Sequence, residues 1–213
     1  MKKLLITLPE YDDETYYISY WSKPIIEEAK RKGIKVLELN RERVNRETVL
    51  NFIAAHQPKF LVLNGHGDES SIYGFNNEKI IKEEEDEVFL KDKIIYTIAC
   101  EAAKSLGKSS VEKGASCFIG YEKMFVFYSD ERYFSRPLSD RIASSFFNPT
   151  NKIPISIIKG NSTKESIERA RTEFKKEISK WRISKELEAP FIIFALIWDL
   201  SSLVHLGKDS RFE

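Results

Sequence analysis

The sequence predicts an α/β fold built on a parallel sheet, and three observations carry the prediction. Apolar runs at residues 4–8, 60–63 and 94–99 do not alternate with polar residues, the pattern of strands covered on both faces. Between the first three strands lie two segments of helical periodicity, and parallel strands need crossovers of that length. Chain breakers stand at the boundaries: Pro9, Gly33, Pro58 and Gly114.

Residues 4–8 are the first expected strand, and residues 10–17 read as an acidic, Tyr-rich loop. Residues 22–32 read as a helix, with Pro24 near its start, Ile25, Ile26 and Ala29 on its apolar side, and Gly33 as its stop. A second strand is expected at 34–39 and a second helix at 45–56, with Val49, Leu50, Phe52 and Ile53 facing inward. The third strand, 60–63, runs into Asn64-Gly65-His66-Gly67-Asp68. Residues 70–81 mix Gly74 and Asn76-Asn77 with short apolar pieces, as in a hairpin or an extended excursion. The charge run 82–87 reads as a solvated loop or helix face. A fourth strand at 94–99, a helix at 101–113 and a fifth strand at 115–121 follow, with apolar character prolonged over 124–128. Residues 138–147 read as a helix, 154–158 as helix or extended chain, and 162–181 as a long amphipathic helix capped by Ser162 or Thr163. The apolar run 191–200 suits either a buried helix or a last strand, and 202–207 suits a short closing strand. No repeat and no Gly/Ser-rich linker interrupts the chain, so residues 1–213 read as one domain.

Composition excludes several functional classes. Hydrophobic residues make up 42% and charged residues 31%, as in a soluble globular chain. The formal net charge of +1 gives no general attraction to nucleic acid or to an anionic membrane. Cys100 and Cys117 are too few for a disulfide framework, so a reducing, cytoplasmic setting is expected. The first apolar run is too short for a signal peptide and acidic residues follow it directly. The run 191–200 falls far short of a bilayer span. There is no Gly-Lys-Ser/Thr phosphate loop and no Gly-x-Ser-x-Gly elbow. The three His and two Cys form no ligand pair, and the acidic residues show no grouping, so neither a metal nor a cofactor is expected.

One pair of residues stands out. His66 and Cys100 lie at the carboxyl ends of consecutive apolar strands, where open α/β sheets place their chemistry. Parallel neighbours lie about 4.8 Å apart, so both residues would face one crevice. A helix starting at Glu101 would aim its dipole and free amides at the thiol and favour the thiolate. The imidazole would then act as general acid/base, and the Gly67 and Cys100 amides would hold an oxyanion. The plain alternatives are a buried apolar cysteine and a histidine in a turn. Cys117 and His205 read as packing residues, and His56 as a surface or capping residue. Asp68 could orient the loop, cap it or face water.

On these residues the chain resembles the caspase-like cysteine peptidases (clan CD), the group of caspases, gingipains, legumains, separases and CHAT domains. Its mark is an apolar strand ending in His-Gly, then one ending in Ala-Cys or Gly-Cys. Here these are residues 60–63 with Asn64-Gly65-His66-Gly67, and residues 94–98 with Ala99-Cys100. Gly114-Ala115-Ser116-Cys117-Phe118-Ile119-Gly120-Tyr121 is similar to a strand of the gingipain and CHAT branches. Leu203-Val204-His205-Leu206-Gly207 is similar to their closing segment. The resemblance runs from about Leu4 to Asp209. It implies a three-layer α/β/α sandwich with a mostly parallel six-stranded sheet, His66 as general acid/base, Cys100 as nucleophile, and the Gly67 and Cys100 amides as the oxyanion site. Candidate pocket walls are Tyr121, Glu122 and the loop to Asp130. Glu122 or Asp130 could select a basic P1 residue, with plain solvation as the alternative for each. The chain departs from the caspase Gln-Ala-Cys-Arg-Gly motif, and Ile98 stands where metacaspases carry a specificity Asp.

The resemblance therefore implies a cytoplasmic cysteine endopeptidase that cleaves proteins or peptides without a cofactor. It also implies regulation by a separate sensor chain, and no direct binding of nucleic acid or membrane. Two other readings stay open. One is a catalytically silent scaffold on the same fold, using the aromatic-rich stretch 121–134 as a partner surface. The other is a flavodoxin-like protein whose Gly-His-Gly loop touches a small anion.

Overall fold

Residues 1–213 are all described by the structure, a computed structural model. In chain order it runs β1 (Lys3–Leu8), α1 (Asp13–Trp21), α2 (Lys23–Arg31), β2 (Lys35–Asn40), α3 (Arg46–His56), β3 (Phe60–Leu63), β4 (Gly67–Asp68), β5 (Ser71–Tyr73) and β6 (Lys79–Lys82). It continues through α4 (Glu87–Leu90), β7 (Ile94–Thr97), α5 (Leu106–Glu112), β8 (Cys117–Tyr121), α6 (Arg141–Ile158), α7 (Thr163–Arg182), α8 (Ala189–Ser202) and β9 (Leu203–Gly207).

The uninterrupted apolar runs become the centre of a six-stranded sheet in the order β2-β1-β3-β7-β8-β9. Every pairing is parallel except that of β9, which runs antiparallel to β8. The expected α/β class with a mostly parallel six-stranded sheet is the one observed. Side chains alternate across each strand, so the sheet feeds two cores. Ile6, Val62, Tyr96 and Ile119 pack under α1, α2, α6, α7 and α8. Leu5, Leu61, Ile95 and Phe118 pack under α3 and α5. All four residues of β3 are fully buried, each contributing about 1.5–3 kcal/mol of apolar transfer. Residues 67–82 form a separate three-stranded antiparallel ribbon, β4-β5-β6, which realises the expected excursion. No helix is long and apolar enough to cross a membrane.

Several local expectations are corrected. Residues 10–17 are not a loop: α1 begins at Asp13, and it buries Tyr17, Ile18 and Trp21. Its β-branched and aromatic residues are weak helix formers, and packing overrides them. Asp12 starts the helix through a reciprocal capping box with Thr15. The helix expected from Glu101 begins only at Leu106. Glu101 takes a left-handed conformation, φ +57°. The turn after it is tied to the end of β8, with the Glu101 amide donating to Lys123 O and the Ala103 amide to Tyr121 O, both at 3.2 Å, while the Lys104 amide closes the turn on Glu101 O at 2.8 Å.

The charge run 82–87 is not wholly solvated either, because Asp86 and Glu87 are buried. Asp86 accepts from Arg46 Nη2 at 2.7 Å and from the Lys82 amide at 2.9 Å. Glu87 accepts from Ser109 Oγ at 2.7 Å and from Lys113 Nζ at 3.2 Å. Residues 154–158 prove helical, as the end of α6, which continues through Pro149 and Pro154. Proline at 154 lacks the N–H that would reach the Thr150 carbonyl. The Tyr96 hydroxyl donates to that carbonyl instead, at 3.0 Å. The run 191–200 lies within α8, and the closing strand is β9.

Candidate functional site

β3 and β7 end side by side. Leu63 lies opposite Thr97, and Thr97 Oγ1 donates to Leu63 O at 2.6 Å and accepts from the Ala99 amide at 3.0 Å. Residues leaving the two strands therefore emerge at one sheet edge. Asn64 fixes the exit from β3: its amide donates to Thr7 Oγ1 at 2.7 Å, and its Nδ2 donates to Ser22 Oγ at 2.9 Å. Gly65 has φ +151°, and a Cβ there would sit 1.9 Å from Tyr73 O. The His66 carbonyl accepts from the Tyr73 amide at 2.9 Å. Gly67 lies directly on the end of the cysteine strand, where a Cβ would come within 2.7 Å of Cys100 O and 2.8 Å of Ala99 Cβ.

The result is a cleft of about 300 Å³ lined by both His66 and Cys100. Ile18, Ile98, Phe125 and Val126 supply its apolar wall, and Glu14 stands at its rim. The structure thus brings together the three residues that carry the sequence-predicted chemistry, His66, Gly67 and Cys100. The Cys100 N–H makes no backbone hydrogen bond; it lies close to its own sulfur.

Asp12 accounts for the orientation of the imidazole. Its Oδ2 lies 2.7 Å from His66 Nε2, while Oδ1 accepts from the Thr15 amide at 2.8 Å and the Thr15 hydroxyl at 2.6 Å. Burial works against the Asp12 charge, but the Thr15 donors and His66 outweigh it and hold the carboxyl below its ordinary range. With Nε2 engaged by a carboxylate, Nδ1 is the ring nitrogen left for exchange chemistry. Tyr11 packs edge-on against the ring, with centroids 6.0 Å apart.

Cys100 differs from expectation. No helix N-terminus points at it, because α5 starts at Leu106. Burial pushes its thiol pKa up, the Phe125 main chain pulls the other way, and Glu101 adds to the rise. The resting thiol is therefore protonated at neutral pH.

The cleft wall at residues 124–127 hangs from α8. Trp198 Nε1 donates to Met124 O at 2.8 Å, and Asp199 Oδ1 accepts from the Val126 amide at 3.0 Å. Asp199 is fully buried and its Oδ2 has no partner. Burial raises its pKa well above the usual carboxylate range, against the pull of the Val126 amide.

Of the expected pocket walls, the loop to Asp130 reaches the cleft through residues 124–127, while the three named residues lie elsewhere. Tyr121 is buried under the sheet with its hydroxyl 3.1 Å from Thr150 Oγ1. Glu122 faces Lys108 at 3.7 Å. Asp130 is held by Arg132 at 2.6 Å and borders a different hollow of about 510 Å³, which contains neither His66 nor Cys100. Tyr121, Glu122 and Asp130 are thus not brought to the cleft, because the chain turns away after β8 and sends 124–127 back along it.

Asp68 closes the β4–β5 turn. It accepts from the Ser70 amide at 2.8 Å and from the Tyr73 hydroxyl. Cys117 is buried at the start of β8, where its sulfur lies 3.3 Å from His205 Nε2. His205 also meets Thr163 Oγ1 at 2.9 Å, a packing position as expected. His56 ends α3 and packs against Phe52.

Sequence reasoning missed Asp12 and Glu14, and the metal question with them. Donor atoms of Asp12, Glu14 and His66 lie within 4.8 Å of one another, so folding does group ligands that look scattered in sequence. A cation held there would occupy His66 Nε2. The readable signal was Asp12-x-x-Thr15, a helix-capping pattern. Neither a protein-family model nor a curated protein matches this chain.

Proposed function

We propose that the chain is a cysteine endopeptidase of the caspase-like type, with Cys100 as nucleophile and His66 as general acid/base. The observation that carries this reading is the single cleft lined by His66 and Cys100, with Asp12 engaging Nε2 of the imidazole. His66 Nδ1 takes the thiol proton as the sulfur attacks the carbonyl of a peptide bond. The Gly67 and Cys100 amides hold the oxyanion. His66 then passes the proton to the leaving amine, and water hydrolyses the thioester. Because burial keeps the thiol protonated, proton transfer to His66 accompanies attack instead of preceding it. The substrate is a protein or peptide, the setting is cytoplasmic, and a separate chain regulates the site.

The raised thiol, without a helix N-terminus behind it, supports a second reading. This is a catalytically silent scaffold on the same fold. A fluorogenic library varied at P1 separates the two. Cleavage that disappears in Cys100→Ala and His66→Ala supports the peptidase, and cleavage that survives Cys100→Ala sinks the mechanism. A folded wild type that cleaves no member favours the scaffold.

A further inference from the structure

Helix α8 is apolar on both sides. Ile192, Ala195 and Leu196 are buried against the rest of the fold. The opposite side carries Phe191, Phe194 and Ile197, which are 65%, 68% and 45% exposed. Trp198 extends the stripe, stacked on Phe194 with centroids 6.3 Å apart. Spacings of three and four residues place these side chains in one line along the helix. A helix that is apolar all round belongs inside a larger body. At about 200 Å² for a fully exposed side chain, the three most exposed residues present on the order of 350 Å². An apolar patch of a few hundred Å² marks a contact surface. A membrane is a poor fit, since α8 contains no Lys or Arg to meet headgroups.

The charges at the ends of the stripe identify its occupant. Glu188, just before α8, is exposed and within 4 Å of no basic group, with Arg132 bordering the same hollow at longer range. Lys123 lies at the other end, its Nζ 4.5 Å over the Trp198 ring, and it too has no carboxylate partner. The ten steps from 188 to 198 rise about 15 Å along the helix. Opposite, unpaired charges at the two ends of one apolar stripe are self-complementary under a two-fold axis. Antiparallel pairing brings each Glu188 to the other copy's Lys123 and sets Phe194 close to the axis.

We propose that this face is the interface of a homodimer in which α8 packs antiparallel against α8 of a second copy. Two stripes together bury on the order of 700 Å² before the rim is counted. That falls below the roughly 1,200 Å² of stable specific interfaces, so the dimer is a weak, concentration-dependent one. The inference is independent of the chemistry proposed for Cys100.

Sedimentation velocity on the full chain, from about 1 to 200 µM, tests it. The wild type should shift from monomer to dimer with concentration. Phe194→Glu should stay monomeric across the range while its unfolding midpoint stays within about 2 °C of wild type. Lys123→Glu should weaken the dimer about five-fold, and Lys123→Glu combined with Glu188→Lys should restore it. A wild type monomeric at the highest concentration overturns the proposal. So does a dimer indifferent to Phe194→Glu, or one that the charge exchange fails to restore. Co-sedimentation of a monomeric wild type with phosphatidylcholine vesicles, lost in Phe194→Glu, would reassign the face to a lipid surface.

Discussion

At Asp12 one carboxylate serves both a helix and a histidine. Oδ1 caps α1 through Thr15 and Oδ2 meets His66. Asparagine caps a helix about as well as aspartate but brings no charge to the imidazole. Asp12→Asn should therefore leave the unfolding free energy within about 0.5 kcal/mol. On the proposed peptidase reading, kcat/KM should fall by roughly ten- to a hundred-fold. Equal losses of stability and activity would instead mean that Asp12 matters only as a cap. Gly67 makes a different demand. No unusual φ is required there, only space, since an added Cβ meets the Cys100 carbonyl and Ala99 Cβ below 3 Å. Both are rigidly placed, so Gly67→Ala should destabilise the fold by about 1–3 kcal/mol in urea unfolding. An unchanged midpoint would show that the turn is not pressed against the cysteine strand. Cys100 supplies the third expectation. Its pKa is raised, so its thiolate fraction at neutral pH is below that of an ordinary cysteine. Iodoacetamide alkylation should reach half its maximal rate only above the free-thiol value of about 8.5. Fast alkylation at pH 7 would contradict the burial seen here.

The elements differ in how much of them the sequence discloses. β1, β3 and β7 are legible because a strand covered on both faces needs no polar residues, and residues 60–63 contain none. The shared cleft of His66 and Cys100 is legible for the same reason, since it follows from two such strands ending together. α1 is not legible from propensity, because Tyr17, Ile18 and Trp21 form a helix only once the core takes them in. Nor is the late start of α5, because residues 101–105 choose between their own helix and the end of β8 through long-range bonds. Asp86 and Glu87 look solvated in sequence, because the Arg46, Ser109 and Lys113 that bury them arrive from elsewhere in the chain. α6 shows the same dependence. Pro154 leaves the Thr150 carbonyl without its helical donor, and Tyr96 on β7 supplies one. Tyr96→Phe should expose that deficit, lowering stability by about 1–3 kcal/mol in chemical denaturation. A change under about 0.5 kcal/mol would show that the carbonyl finds another donor.

On the scale of the whole molecule, the last helix and the cleft are one mechanical unit. α8 packs on α7 and α6, leads directly into β9, and holds the 124–127 wall through Trp198 and Asp199. The buried Asp199 makes this unit sensitive to pH. An aspartate in the unfolded chain titrates near 3.9, and in the fold burial lifts Asp199 well above that. Between the two values the folded state keeps a proton that the unfolded state has released. Stability from this group is therefore lost as pH rises above the unfolded value. Asparagine at this position keeps the acceptor for the Val126 amide but never ionises. Asp199→Asn should resemble the wild type near pH 4 and become the more stable protein as pH rises toward 8. The expected difference is about 1–3 kcal/mol, the usual penalty for a buried polar group without a partner. Urea unfolding of both proteins at several pH values reads it directly. Parallel stability profiles from pH 4 to 8 would mean that Asp199 titrates alike in the folded and unfolded chains. The wall of the cleft would then hang from a solvated carboxylate, not from a buried one.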